Sequence, residues 1–103
     1  MNNVPPPVAV VTGASSGLGR AVAREFRRNG CTVIALCRRA PEPETADRFL
    51  AVDLTEAGQR ARAAATIEQE FGRVDVLVNN AGITADKLLL RMTEADFDNV
   101  LAR

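Results

Sequence analysis

The feature that most constrains this chain is a glycine-rich turn that directly follows a short apolar run. The run is Val8-Ala9-Val10-Val11, and the turn is Thr12-Gly13-Ala14-Ser15-Ser16-Gly17-Leu18-Gly19. A continuous run rich in β-branched residues is typical of a strand buried on both faces of a parallel sheet. From Leu18 onward apolar residues recur at helical spacing, so the turn joins a strand to a helix. Backbone N–H groups at such a junction can face an anion.

The three glycines of the turn have separable expected roles. Gly13 permits the tight turn, Gly17 lets a ligand approach the backbone, and Gly19 lets the helix and the strand pack closely. The spacing GxxxGxG differs from the common GxGxxG, and a glycine-rich loop can also simply connect two elements. Its position after a buried strand favours a pyrophosphate-binding site.

Strand and helix patterns alternate along the chain after a proline-containing lead-in at residues 1–7. Apolar runs predict four strands, at Val8–Val11, Thr32–Leu36, Phe49–Val52 and Val74–Val78. Helical spacing predicts one helix from Leu18 to a stop at Asn29-Gly30, a second from Thr55 to Phe71, and a third beginning at Thr93. This order predicts an α/β fold, an incomplete Rossmann-type doubly wound parallel sheet with strand order 3-2-1-4.

The first two predicted helices each carry an apolar face. In the first helix this face is Leu18, Val22 and Phe26, and in the second it is Ala57, Ala61, Ala64 and Phe71. Both faces are expected to pack on the sheet.

Composition limits the chemistry that this chain can perform. It contains no His, Tyr or Trp, its one lysine is Lys87, and its serines are Ser15 and Ser16. Few proton-transfer or nucleophilic schemes can be written without these side chains, so we expect no catalytic residue here, and no metal site either. Thirteen basic and thirteen acidic residues cancel, which argues against nucleic acid and membrane surfaces as partners.

No apolar stretch is long enough for a membrane span, and the start of the chain does not resemble a secretion signal, so a cytoplasmic location is expected. Cys31 and Cys37 lie at the two ends of an apolar run. An extended strand would hold them too far apart for a disulfide, so both are expected to be free thiols.

The end of the second predicted strand indicates which dinucleotide would bind. NAD-preferring sites carry an acid there, about twenty residues beyond the turn, to accept a hydrogen bond from the ribose 2′-hydroxyl. This chain instead has Cys37-Arg38-Arg39. Guanidinium groups can bind a 2′-phosphate bidentately, which favours NADP(H), although the pair could also be an ordinary solvated surface pair.

Polar residues also follow the third and fourth predicted strands. Asp53 could accept a hydrogen bond from an adenine amine or cap the next helix, and Thr55 could serve as that cap as well. Asn79-Asn80-Ala81-Gly82 would lie beside the crevice where open sheets bind ligands. Its amides could brace neighbouring strands or contact a ribose, and the two roles can coexist.

Together, the glycine turn, Asp53 and Asn79-Asn80-Ala81-Gly82 resemble the cofactor half of the short-chain dehydrogenase/reductase family, from Val8 onward. Residues 82–92 are similar to the segment after this motif in the 3-oxoacyl-[acyl-carrier-protein] reductases. The resemblance implies NADPH bound through the turn, with its 2′-phosphate near Arg38. The cofactor-binding residues that it implies are Gly13, Ser15, Ser16, Gly17, Leu18, Gly19, Arg38, Asp53, Leu54, Asn80, Ala81 and Gly82.

The resemblance also implies hydride transfer to a 3-oxoacyl thioester carried on acyl carrier protein or on CoA, by an enzyme that is a homo-oligomer when complete. The family uses a Ser, a Tyr and a Lys for proton transfer, and none of these is matched here, because Lys87 lies far before the expected place. We therefore expect residues 8–103 to be an NADP(H)-binding portion, truncated before the catalytic segment and inactive alone. The alternatives are a non-catalytic nucleotide-binding or interaction module and another NADP-dependent reductase, such as an acetoacetyl-CoA reductase.

Overall fold

The computed structural model describes residues 5–80, and within them it forms a parallel sheet with helices on both faces. The elements are strands β1 (Val8–Thr12), β2 (Thr32–Cys37), β3 (Arg48–Ala51) and β4 (Val76–Val78), and helices α1 (Gly17–Arg28) and α2 (Ala57–Phe71). The strand order is β3-β2-β1-β4, and every pairing is parallel. The predicted Rossmann-type architecture and its strand order are confirmed.

Each face of the sheet forms its own apolar layer, because side chains alternate between faces along a strand. Toward α2 the buried residues include Val10, Ile34, Leu36 and Ile67. Toward α1 they are smaller, with alanine at positions 9, 14, 23 and 35. Small side chains permit a helix to lie close to a sheet, and this matters for the turn at the start of α1.

The predicted apolar faces of both helices are partly wrong. In α1 the buried residues are Gly19 and Ala23, whereas Leu18 is 70% exposed. In α2 the buried residues are Ala63 and Ile67; Ala57 is exposed, while Ala64 and Phe71 do pack against the core. In α1 the predicted Phe26 does pack against the core, but close packing selects the small Gly19 and Ala23 for the closest contact with the sheet. In α2 the reverse holds, because the predicted face was mostly alanine and left out Ile67, which is 1% exposed.

The second helix begins two residues later than predicted. The backbone N–H and the hydroxyl of Thr55 both donate to Asp53 Oδ1, at 3.0 and 2.6 Å. These bonds hold Thr55 in a turn before α2, whose N-cap is Glu56 without a side-chain cap bond. Neither Asp53 nor Thr55 is therefore the helix cap considered above.

The fourth strand is shorter than predicted, and the third is shifted by one residue. The Val8 N–H donates to the Asp75 carboxylate at 2.7 Å, and the Asp75 N–H donates to the Val8 carbonyl at 2.8 Å. A side chain thus replaces a backbone acceptor, and regular pairing starts at Val76 opposite Ala9.

The loop between β2 and β3 contains a 3₁₀ turn at Pro43–Thr45 that the sequence did not predict. Cys31 and Cys37 are free, as expected. Across residues 5–80 no helix is long and apolar enough to cross a membrane, and no group of three acidic, cysteine or histidine side chains is placed to hold a metal ion. The helix predicted at Thr93 lies outside the described residues.

Candidate functional site

The glycine turn lies at the carboxyl end of β1 and leads directly into α1. Gly13 and Gly17 have φ angles of 64° and 59°, in the left-handed region that favours glycine. The Gly13 N–H donates to the Leu36 carbonyl at 2.9 Å, so the turn begins as a continuation of the pairing between β1 and β2. Space around Gly17 is open, since an added Cβ would meet no atom within 4 Å. The turn therefore presents an uncovered backbone at the start of a helix.

Gly19 is required by packing. A Cβ at this position would lie 2.6 Å from Asn80 Nδ2 and 2.8 Å from the Gly13 carbonyl carbon, closer than atoms normally approach. The start of α1 thus rests directly on the backbone of the turn, as expected for the third glycine.

Asn80 braces this junction from the end of β4. Its backbone N–H donates to the Thr12 hydroxyl at 2.9 Å, and its side-chain Nδ2 donates to the Gly13 carbonyl at 3.4 Å. The Thr12 hydroxyl donates in turn to the Val78 carbonyl at 3.3 Å. The bracing role considered for this asparagine is therefore present in the structure, and it does not exclude contact with a ribose.

A cavity of about 690 Å³ lies between the turn and the carboxyl ends of β2 and β3. Its lining comes from the turn (Gly13, Ser15, Ser16), from the end of β2 (Leu36, Cys37, Arg38, Arg39) and from the residues after β3 (Val52, Asp53, Leu54, Thr55). The structure therefore brings together Gly13, Ser15, Ser16, Arg38, Asp53 and Leu54 from the predicted set.

The other predicted residues are placed differently. Gly17, Leu18 and Gly19 begin α1 beside the cavity without lining it, and Asn80 contacts the turn from β4. Ala81 and Gly82 lie outside the described residues.

The positive charge at this cavity belongs to Arg38 and Arg39. Both are exposed, and neither side chain forms an ion pair or hydrogen bond with any residue between 5 and 80. The β2 end has no carboxylate among its lining residues. Two guanidinium groups without partners at the end of β2 form a site suited to a phosphate.

Asp53 is the acidic group of the cavity. The pKa of its carboxyl is lowered, first by the hydrogen bond from the Thr55 hydroxyl, then by the Thr55 N–H, with a contribution from the charge of Arg38. Asp53 is therefore a carboxylate at neutral pH. Thr55 occupies Oδ1, and Oδ2 accepts no hydrogen bond from residues 5–80, so it can accept one from a ligand.

Several lining residues were missed from the sequence, namely Leu36, Cys37, Val52 and Thr55. Leu36 and Val52 are buried in the core, at 0% and 4% exposure, so they form the floor beneath the cavity. The Cys37 thiol donates to the Arg39 carbonyl at 3.1 Å, and burial raises its pKa, so it stays protonated. The rule that ligands bind outside the carboxyl ends of parallel strands would have found these positions, because they end β2 and follow β3.

The family of this chain follows from comparison with known proteins. Residues 7–103 match the family model described as short chain dehydrogenase. The chain belongs to this family of oxidoreductases, in agreement with the resemblance read from the glycine turn and the motif at 79–82.

Individual relatives sharpen this result. The chain is 40% identical over 105 residues to the 3-oxoacyl-[acyl-carrier-protein] reductase of Thermotoga maritima, a match that covers 91% of this chain and 42% of that protein. It is 42% identical to a short-chain reductase protein of Streptomyces niveus, with 91% of this chain and 40% of that protein covered. The chain thus spans well under half the length of these curated relatives.

Solved structures give the same fold. A metagenomic short-chain oxidoreductase in complex with NADP aligns with a TM-score of 0.75 at 30% identity, covering 86% of this chain and 56% of that one. The ligand-free aldohexose dehydrogenase of Thermoplasma acidophilum aligns with a TM-score of 0.70 at 40% identity, covering 76% of this chain and 30% of that one.

Proposed function

We propose that this chain binds NADP(H) and forms the cofactor-binding portion of a short-chain reductase. The observation that carries the proposal is the cavity of about 690 Å³, which is lined by residues of the glycine turn and by Arg38 and Arg39. Its volume falls within the range of roughly 300–1,000 Å³ for small-molecule and cofactor sites. The solved structure of the metagenomic relative, which is in complex with NADP, supports the same cofactor.

The residues present fit an NADP(H) molecule along the cavity. In this proposal the pyrophosphate lies at the turn, where the backbone around Gly17 is open and α1 begins. The 2′-phosphate lies at Arg38 and Arg39, and the adenine lies beside Asp53 and Leu54. The binding set is Gly13, Ser15, Ser16, Gly17, Leu18, Gly19, Arg38, Asp53, Leu54, Asn80, Ala81 and Gly82.

When bound, NADPH supplies a hydride for the reduction of a carbonyl group. The residues of this chain contribute binding and orientation. The turn fixes the phosphates, and Asn80 holds the end of β4 against the turn, at the edge where the nicotinamide ribose would pass. Because the 103 residues contain no Tyr, and their one Lys is Lys87, we predict that this chain alone does not catalyse the reduction.

A 3-oxoacyl thioester is the substrate that we propose for the whole enzyme. The relative from Thermotoga maritima supports this choice, as do other 3-oxoacyl-[acyl-carrier-protein] reductases at 35–36% identity. The proposed carrier is acyl carrier protein, with CoA as the alternative, and the proposed assembly of the whole enzyme is a homo-oligomer.

Titration with NADPH and with NADH, followed by the fluorescence of the reduced nicotinamide, tests the cofactor proposal. We expect NADPH to bind about tenfold or more tightly than NADH, because charged hydrogen bonds to a phosphate are among the stronger ones in proteins. Equal dissociation constants would contradict the assignment of NADP(H).

Two glycine substitutions provide a matched pair for the turn. Gly17 and Gly30 lie at opposite ends of α1, and both have positive φ and open space around the Cβ position. A valine at either site introduces similar backbone strain, of order 1–3 kcal/mol. We expect Gly17→Val to abolish binding of both nucleotides and Gly30→Val to leave both dissociation constants within about twofold. Similar losses in the two variants would argue against a ligand at the turn.

The rival function, a nucleotide-binding module without turnover, rests on the absence of Tyr from the 103 residues. It predicts the same binding but no 3-oxoacyl reduction by the natural protein. NADPH oxidation dependent on a 3-oxoacyl thioester, measured on protein from the native source, would exclude it.

A further inference from the structure

The loop after Arg38 and Arg39 carries acidic residues that could compete with a bound phosphate. Glu42 follows Arg39 by three residues, so their Cα atoms lie within about 11 Å, and the two side chains can span that distance. Glu44 is two residues further along. In an unconstrained loop such carboxylates would pair with the nearest guanidinium groups.

In the structure these carboxylates pair with α1 instead. Glu42 contacts Arg20 at 3.1 Å and Arg24 at 3.2 Å, and Glu44 contacts Arg24 at 3.0 Å. Neither glutamate lines the cavity. Arg24 therefore binds both acids, and it binds them away from Arg38 and Arg39.

Further bonds fix the loop in this position. Arg24 Nε donates to the hydroxyl of Thr45, which is fully buried, at 3.3 Å. Arg27 contacts Asp47 at 3.1 Å, and Asp47 exchanges two hydrogen bonds with Val33, of 2.8 and 2.9 Å. An isolated exposed ion pair contributes little, but several charges joined in a network with a buried anchor hold one arrangement.

We propose that Arg24 is a positioning residue that determines the preference for a phosphorylated dinucleotide. By holding Glu42 and Glu44 on α1, it leaves Arg38 and Arg39 available to a phosphate at the cavity. This inference rests on the proposed NADP(H) function. Without Arg24, Glu44 loses its ion-pair partner and Glu42 keeps only Arg20, so these carboxylates can turn toward Arg38 and Arg39 and repel the dianionic 2′-phosphate. NADH has no 2′-phosphate, so its binding does not depend on where the Glu42 and Glu44 carboxylates lie.

The test compares dissociation constants for NADPH and NADH in three variants of the 103-residue chain. Arg24→Gln is expected to raise the dissociation constant of NADPH about three- to tenfold and to change that of NADH by less than about twofold. Adding Glu42→Gln and Glu44→Gln to Arg24→Gln removes the competing charges and is expected to restore NADPH binding. Arg28→Gln is the matched control, because Arg28 lies on the same helix but pairs with Glu25. It is expected to change neither constant.

Restoration in the triple variant separates positioning from general structural damage, which it could not repair. Equal weakening of both nucleotides by Arg24→Gln, or a triple variant that stays weak, overturns the inference. If Arg24→Gln unfolds, as seen by circular dichroism, Arg24→Met replaces it, because methionine keeps much of the side-chain length without the charge, and an unchanged NADPH preference in that variant overturns the inference. A wild-type chain without preference for NADPH refutes the proposed function itself, whereas a preference that survives Arg24→Gln refutes this inference alone.

Discussion

Two groups of arginines on this small sheet differ in what faces them. Arg20, Arg24 and Arg27 extend from α1 toward the loop after β2, and each contacts a carboxylate at 3.0–3.2 Å. Arg38 and Arg39 directly follow the end of β2, and their side chains form no ion pair with a carboxylate within residues 5–80. The three α1 arginines face three acids, so their charges cancel. Arginines that look alike in the sequence therefore differ in whether the fold places a carboxylate within ion-pair distance.

The largest expected effect is on NADPH binding, when the unpartnered Arg38 and Arg39 are both replaced. Arg38→Gln with Arg39→Gln should raise the dissociation constant of NADPH by about 30-fold, since hydrogen bonds to charged groups contribute about 1.5–3 kcal/mol each. The dissociation constant of NADH should change by less than about twofold. Nicotinamide fluorescence measures both. Arg62→Gln is the control, because Arg62 is exposed on α2, outside the cavity. A parallel loss for both nucleotides would show that the two arginines act on the fold.

A smaller effect, on stability, is expected when Asp47 is replaced, because this acid joins Arg27 of α1 to the buried Val33. Asp47→Ala removes the acceptor of the Val33 N–H, and Val33 is fully buried. An unsatisfied buried donor costs about 1–3 kcal/mol, so the free energy of unfolding should fall by about that amount in urea titration. Glu25→Ala is the control, since Glu25 contacts exposed groups of its own helix end, and its effect should stay within about 0.5 kcal/mol. Equal losses would mean that the loop has no buried anchor.

The smallest expected effect is a difference in pH dependence. Stability from the paired group should fall at a lower pH than the NADPH preference that depends on Arg38 and Arg39. The pKa of Glu44 is lowered, first by its own backbone N–H and further by the charge of Arg24. Its contribution to stability is therefore complete above the ordinary glutamate pKa of about 4.3 and is lost as pH falls through the lower folded value. A 2′-phosphate protonates near pH 6, whereas arginine does not titrate, so NADPH preference should decline about threefold between pH 7.5 and 5.

Both quantities can be followed on one sample, with dissociation constants for binding and thermal unfolding for stability. If stability falls together with the NADPH preference between pH 7.5 and 5, the two groups are not independent, and the contrast between them fails.

Much of the fold could be predicted because the local signals agree. Apolar runs, the glycine turn and the helix stop at Asn29-Gly30 all give the same alternation, and the alternation determines the strand order. The errors occur where tertiary contacts override a local pattern. Asp75 takes a ladder position with its side chain, and Thr55 is held by Asp53 outside α2. Nothing in the sequence near these residues distinguishes them from the strand or helix that they precede.

The candidate site was predictable at its glycines and charges and less so at its walls. Gly13, Ser15, Arg38 and Asp53 stand out as residue types suited to phosphate, ribose and base. Leu36 and Val52 look like ordinary core residues, and they become part of a lining only because strands β2 and β3 end side by side. The pairing of Glu42 with Arg20 joins residues 22 positions apart through an unpredicted 3₁₀ turn, so no local pattern could reveal it.

The close contact at Gly19 has a consequence for protein engineering. The segment from Thr12 to Gly19 reads as a self-contained phosphate-binding cassette, but its shape depends on Asn80, 68 residues after Thr12. Transplanted alone into another scaffold, the eight-residue peptide would lack the Asn80 side-chain amide that donates to the Gly13 carbonyl. A portable version has to include both the start of α1 and the end of β4.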